Sequence, residues 1–124
     1  MHEMGIARQL VQIALDAVPE DIDAPKVARL NLKIGKLAAI AAHSLTFCFG
    51  IIAKDTPLEN ARLIIESVPV TAYCKACAHT WEVKNPVFTC PFCEDGVVEV
   101  ITGREIEITS LELSDDVTRN RNHI

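Results

Sequence analysis

Four of the five cysteines fall in two C-x-x-C pairs, Cys74-Lys-Ala-Cys77 and Cys90-Pro-Phe-Cys93, with twelve residues between them. Each tetrapeptide can close a tight turn that aims two thiolates at one point. Two such turns on facing hairpins make a tetrahedral four-sulfur site. Tetrahedral thiolate suits zinc or iron. Iron-holding turns of this kind usually carry Gly just after the second cysteine. Ala78 and Glu94 stand there instead, which favours zinc. A closed four-cysteine site has no open coordination position, so its ion would fold the segment around it and do no Lewis-acid chemistry.

Cys90-Pro-Phe-Cys93 also resembles a thioredoxin-like redox pair as a tetrapeptide. That chemistry needs a helix after the cysteines to lower a thiol pKa. Here Glu94-Asp95-Gly96 and the strand-like Val97 to Val100 follow, so the context fails. His79, two residues after Cys77, is either a spare ligand or a solvated loop histidine.

The second place for chemistry is Met1-His2-Glu3. An α-amine, the His2 amide and the His2 imidazole would close a five- and a six-membered chelate ring. Three nitrogens in a plane suit square-planar Ni²⁺ or Cu²⁺ better than Zn²⁺. A helix starting near Glu3 would disfavour imidazolium through its dipole and keep His2 able to coordinate. The Glu3 carboxylate would offset that dipole's repulsion of a cation and could be a further ligand. On these residues alone, an exposed terminal histidine with no metal remains the plainer alternative.

The rest of the chain narrows the classes. Its 124 residues make one domain, or one with a small appendage. At 49% hydrophobic it can bury a core, and at 5% aromatic that core is mostly aliphatic. A formal charge of −5 makes phosphate backbones poor partners. Between 72 and 102, Lys75 and Lys84 stand against Glu82, Glu94, Asp95 and Glu99, and a zinc with four thiolates would add more negative charge. Nucleic acid is therefore not expected as a partner. The most apolar window, Leu37 to Ala53, is too short and too interrupted for a membrane span. The N-terminus lacks a basic region and cleavage site. With cysteines arranged for metal rather than disulfides, this implies a cytoplasmic protein. No Ser-His-Asp set, open metal site or phosphate loop is evident (Gly35-Lys36 lacks the preceding Gly), so an enzyme is not expected.

Periodicity supplies the elements. Residues 3–18 predict an amphipathic helix, with Ile6, Leu10, Ile13, Ala14 and Ala17 in one stripe, widened by Val11, Leu15 and Val18 and stopped by Pro19. Residues 26–34 alternate as a strand with Ala28, Leu30, Leu32 and Ile34 on its buried face, ended by Gly35. Residues 43–54 return to helical period through Leu45, Cys48, Phe49 and Ile52, with Cys48 a buried packing thiol. Strands follow over 61–68 and 104–113. The apolar parity of the second changes between Ile108 and Leu111, which predicts a bulge or a change of buried face near Ser110.

The fold class is thus α+β: a small sheet of about three strands packed by two helices, with an inserted zinc-ribbon-like module built on the four cysteines. The domain reading is 1–71 plus 103–113 as an α/β domain, 72–102 as the zinc module, and 114–124 as a loose tail. Trp81, Val83, Phe88 and Val97 are the expected small core of the module.

Met1-His2-Glu3 heading a helix, Lys33-Ile34-Gly35 ending a strand, Leu45-Thr46-Phe47-Cys48-Phe49 on the second helix, both cysteine pairs, and Ile108-x-Ser110-Leu111-Glu112 together resemble the HypA/HybF family of hydrogenase nickel-incorporation proteins, over about residues 1–113. The resemblance implies a nickel metallochaperone. Met1, His2 and Glu3 would hold nickel as cargo, and Cys74, Cys77, Cys90 and Cys93 would hold structural zinc. A HypB-type GTPase and the [NiFe]-hydrogenase large subunit would be its partners. Some members supply a further carboxylate from the loop after the Gly, but here Ala41 falls near that place and cannot coordinate. His43 could substitute, although its position fits a helix start. The competing class is a zinc-ribbon protein-interaction module without nickel transfer.

Overall fold

In the computed structural model, residues 2–85, 87–93, 96–114 and 118–119 are described. The order is α1 (Glu3–Ala17), β1 (Ile22–Asp23), β2 (Val27–Gly35), a 3-10 turn (Lys36–Ala38), α2 (Ala42–Ile52), β3 (Arg62–Val68), β4 (Thr71–Cys74), β5 (Thr80–Glu82), β6 (Val98–Thr102), β7 (Ile106–Leu113) and β8 (Thr118–Arg119). One three-stranded sheet has the order β3-β2-β7, and a second has β5-β4-β6. The α+β expectation of two helices, a small three-stranded sheet and an inserted cysteine module holds. The module brings a three-stranded sheet of its own.

The chain divides into two compact units, Met1–Leu32 with Ile40–Ile65 and Ile108–Ile124, and Lys33–Ala39 with Glu66–Glu107. In the first, α1 packs on α2. The α1 side chains that are buried are Ala7, Leu10, Val11 and Ala14. The stripe expected from periodicity is therefore partly displaced: Ile13 is 55% exposed, and Ala7, outside that stripe, takes an inner place. A small residue at 7 lets that face pack closely, which the spacing of the larger apolar residues does not register. Val18 is extended, with φ −71° and ψ 129°, as suits a residue before proline, and the helix stops there.

On β2 the even face is buried as expected at Leu30, Leu32 and Ile34, while Val27, assigned to the opposite face, is buried too. Leu45 and Phe49 of α2 are buried with Ala53 and Leu58. Cys48 is only half-buried, not the buried thiol expected. Along β7 the shielded positions are Ile108, then Leu111 and Leu113, so the parity does change, and Ile106 is 42% exposed. Most of the expected loose tail lies outside the described residues. Thr118–Arg119 pairs antiparallel with Ile22–Asp23.

In the second unit, β4 is central. Ala72 pairs with Trp81 of β5 and with Val100 of β6. At Gly35, the last residue of β2, a Cβ would strike the backbone of Gly103 and Arg104, so only glycine fits. Two backbone bonds depend on that approach, Gly35 N–H to Glu105 O at 2.8 Å and Leu37 N–H to Gly103 O at 2.7 Å. The module's core is not the one expected. Phe88 is 41% and Val97 67% exposed, and Trp81 and Val83 are only half-buried. Among the described residues between 66 and 107, the buried hydrophobic ones are Val70, Ala72, Cys74 and Cys90. Cysteine side chains thus take the inner places expected for aromatic and aliphatic ones.

Candidate metal centres

β4 delivers Cys74 at its last residue, and the turn that follows carries Cys77. Ala78 N–H bonds to Cys74 O at 2.8 Å and Cys74 N–H to His79 O at 2.9 Å, closing the first knuckle. Ala78 adopts φ 63°, the left-handed conformation that favours glycine. The alanine thus takes the backbone shape a glycine would take, so residue type at 78 does not separate zinc from iron, and the closed thiolate set suits either ion. The second knuckle has Phe92 N–H donating to Cys90 Sγ at 3.3 Å. Among the described residues no helix follows it before β6, as the rejection of a redox pair required.

The four Sγ atoms all lie within 4.8 Å of one another. Cys74 and Cys93 sulfurs are 3.6 Å apart, as are those of Cys77 and Cys90. A zinc tetrahedron with bonds of about 2.3 Å has sulfur–sulfur edges of about 3.8 Å. The donor set fits that ion in number, kind and spacing. The thiols also polarise one another. The His79 backbone N–H pulls Cys77 down, but burial and the hydrogen bonds with the other three thiols outweigh it and push Cys77 up to about 12. Burial pushes Cys90 up, yet backbone N–H groups of Cys93 and Phe92 and the neighbouring thiols bring it down to about 6. Four thiols so close cannot all ionise unless a cation balances them.

Two residues around the cluster have roles that the sequence did not announce. His79 is exposed, but its Nδ1 lies 3.2 Å from Cys77 Sγ and its ring stacks on Phe92 with centroids 4.0 Å apart. It is neither a freely solvated histidine nor one of the four clustered donors. Gly96 leaves space for the cluster: a Cβ there would collide with Cys74 Sγ and come within 3.3 Å of Cys93 Sγ. A glycine shortly after the second C-x-x-C is the signal that could have found it.

At the other end, His2 is the N-cap of α1, exposed, with φ −90° and ψ 84°, and its carbonyl accepts the Ile6 N–H at 3.3 Å. Met1 lies outside the described residues. Glu3, in the first turn of α1, accepts the Ala41 backbone N–H on Oε2 at 3.0 Å. That bond, and one from its own backbone N–H, hold the Glu3 carboxyl below its ordinary range. The structure therefore brings position 41 against Glu3, although Ala41 offers an amide and no carboxylate. His43 is exposed in the first turn of α2, consistent with a helix-start residue.

Known proteins are similar to this chain in sequence and in fold. Residues 1–113 match the family HypA, described as hydrogenase/urease nickel incorporation, metallochaperone. A hydrogenase maturation factor HypA from Desulfosudis oleivorans is 51% identical over 93% of this chain and all of its own length. One from Desulfatibacillum aliphaticivorans is 46% identical over 93% of this chain and 88% of its own. The solution structure of the Ni metallochaperone HypA from Helicobacter pylori superposes with a TM-score of 0.66, covering 91% of this chain and 97% of that one at 23% identity, a likeness of fold.

Proposed function

Because this chain belongs to the HypA family of hydrogenase/urease nickel-incorporation metallochaperones, we propose that its first three residues bind Ni(II) as cargo and deliver it to the [NiFe]-hydrogenase large subunit. In this reading the α-amine of Met1, the amide and imidazole nitrogens of His2 and the carboxylate of Glu3 are the ligands, and Cys74, Cys77, Cys90 and Cys93 hold zinc as a structural ion. The zinc would fold the β4–β6 segment and leave the cargo chemistry to the N-terminus.

The observation that carries the proposal is the placement of His2 and Glu3 at one helix end. The His2 N–H lies where an α-helix supplies no acceptor, so its deprotonation by a metal breaks no helical bond. The imidazole is exposed and within reach of a cation at the chain end. Glu3 stays ionised because its Oε2 is held by Ala41, which leaves Oε1 for a cation. Ligands on an exposed chain end can be exchanged one at a time by a recipient site, so transfer needs no unfolding. Nickel incorporation also requires other hydrogenase-maturation proteins. A HypB-type GTPase is the proposed one, since no phosphate-binding loop is evident in this sequence.

The test is calorimetric titration with Ni²⁺ of the zinc-loaded protein, its His2→Ala variant, and a form extended before Met1. The proposal expects His2→Ala to lose nickel and keep zinc, and the extension to weaken binding by removing the free amine. Equal nickel affinity in all three would remove it.

A further inference from the structure

The second unit carries a groove of about 200 Å³ that none of the metal ligands lines. Its walls are apolar: Val70 is buried, Val83 half-buried, and Leu37 and Phe88 are 38% and 41% exposed. Lys36 and Lys84 also line it, and among the described residues no carboxylate does. Neither lysine is ion-paired among the described residues. In a chain of formal charge −5, an acid-free cradle holding two ammonium groups favours an acidic occupant.

The groove is also built rather than incidental. Leu37 is pinned by its N–H to Gly103 O at 2.7 Å, and Val83 by its N–H to Val70 O at 2.8 Å, so little ordering is needed on binding. Pockets that enclose small molecules run to roughly 300–1,000 Å³, so this one suits a single apolar side chain. A second depression, of about 400 Å³ and lined by Trp81, Glu82, Val87, Thr89 and Pro91, shares Val83, Lys84 and Asn85 with it, so a carboxylate enters only in this outer hollow, away from Lys36. Two adjoining hollows fit an extended segment better than a compact ligand.

We propose that this groove docks an acidic, extended segment of a partner protein. One apolar side chain of the segment fills the space among Leu37, Val70, Val83 and Phe88, and flanking carboxylates pair with Lys36 and Lys84. The apolar anchor supplies most of the affinity and the rim charges set encounter and orientation. The inference concerns the second unit alone and stands or falls independently of where nickel binds.

The test uses the full zinc-loaded chain, labelled with ¹⁵N and titrated with the blocked pentapeptide Asp-Glu-Leu-Glu-Asp. Lys-Lys-Leu-Lys-Lys and Asp-Glu-Ala-Glu-Asp serve as controls. Saturable shifts at the amides of Leu37, Val83, Lys84 and Phe88 are expected with the first peptide, none there with the basic one, and weaker binding with the alanine one. Lys36→Glu combined with Lys84→Glu should weaken the acidic peptide about tenfold, the scale of two exposed pairs, and leave zinc content unchanged. Added salt should weaken it as well. An absence of shifts at those amides, or equal binding of the basic peptide, overturns the proposal. So does movement of the same amides on removing the residues after Ser114, which would make the occupant the chain's own terminus. A dimer that Lys36→Glu dissociates would assign the groove to a second copy and overturn it equally.

Discussion

The Glu3 carboxylate accepts the Ala41 backbone N–H at 3.0 Å across 38 residues of sequence, so one side chain in the first turn of α1 also caps α2. The α2 cap residue has no side-chain cap of its own, and the first turn has no acidic residue. Glu3 thus does for α2 what the glutamate of a capping box does within one helix. It faces the positive ends of both helices, which favours its ionised form beside the two backbone bonds that hold its carboxyl low. In the proposed site this means that the group offered to nickel is already oriented by the fold.

Glu3→Gln and Glu3→Ala should separate these two roles. Glutamine keeps an oxygen for the Ala41 N–H, so thermal stability should stay near wild type while nickel binding weakens. Alanine loses both, and the lost cap should lower the melting temperature by a few degrees. Ala41→Pro is the complementary probe. Its φ of −79° suits proline, so the change removes the donor with little backbone strain. It should loosen nickel without altering zinc content.

The same bond fixes a pH response. A carboxyl held low stabilises the folded state above its unfolded pKa, and that contribution is lost as pH falls through the folded value. Thermal melts should show little dependence on this group between about pH 7 and about pH 5, and a decline at more acid pH. Glu3→Ala should shed that part of the decline, as differential scanning calorimetry across the range would show.

Chelation of the thiolate-bound ion should unfold the second unit selectively. Trp81 and Tyr73 are the chain's only tryptophan and tyrosine, and both lie in that unit. Near-ultraviolet circular dichroism should therefore collapse on chelator addition while the far-ultraviolet helix signal of α1 and α2 persists. Acid should have the same effect, because protons compete with metal for thiolate. A near-ultraviolet signal indifferent to chelator would show that the ion is not the core of this unit.

Two small substitutions near the cysteines should have opposite signs. Ala78→Gly relieves a left-handed alanine and should stabilise the module by about 1 kcal/mol. Gly96→Ala places a methyl against Cys74 Sγ and should weaken zinc retention or abolish folding of the module. Competition with a chromogenic chelator reads both.

In the first unit, Leu45 is fully buried, and Leu45→Ala should cost about 2–5 kcal/mol in chemical denaturation. Zinc stoichiometry should not change, since Leu45 and the cysteines belong to different units.

The kinds of element and the clustering of the four cysteines were legible in the residues alone. Alternation over 26–34 and helical spacing over 43–54 survive because they record which face avoids water, and that is a local property. The spacing of Cys74, Cys77, Cys90 and Cys93 is legible because a C-x-x-C turn brings its two sulfurs together almost regardless of the rest of the chain. Tertiary structure decided what depends on distant neighbours. Ile13 looks like core until α1 leaves it exposed and buries Ala7, outside the expected stripe. Phe88 and Val97 look like a module core until cysteine side chains take the inner places. No pattern around Glu3 announces Ala41, because a hydrogen bond between residues 38 apart exists only once two helix ends are brought together.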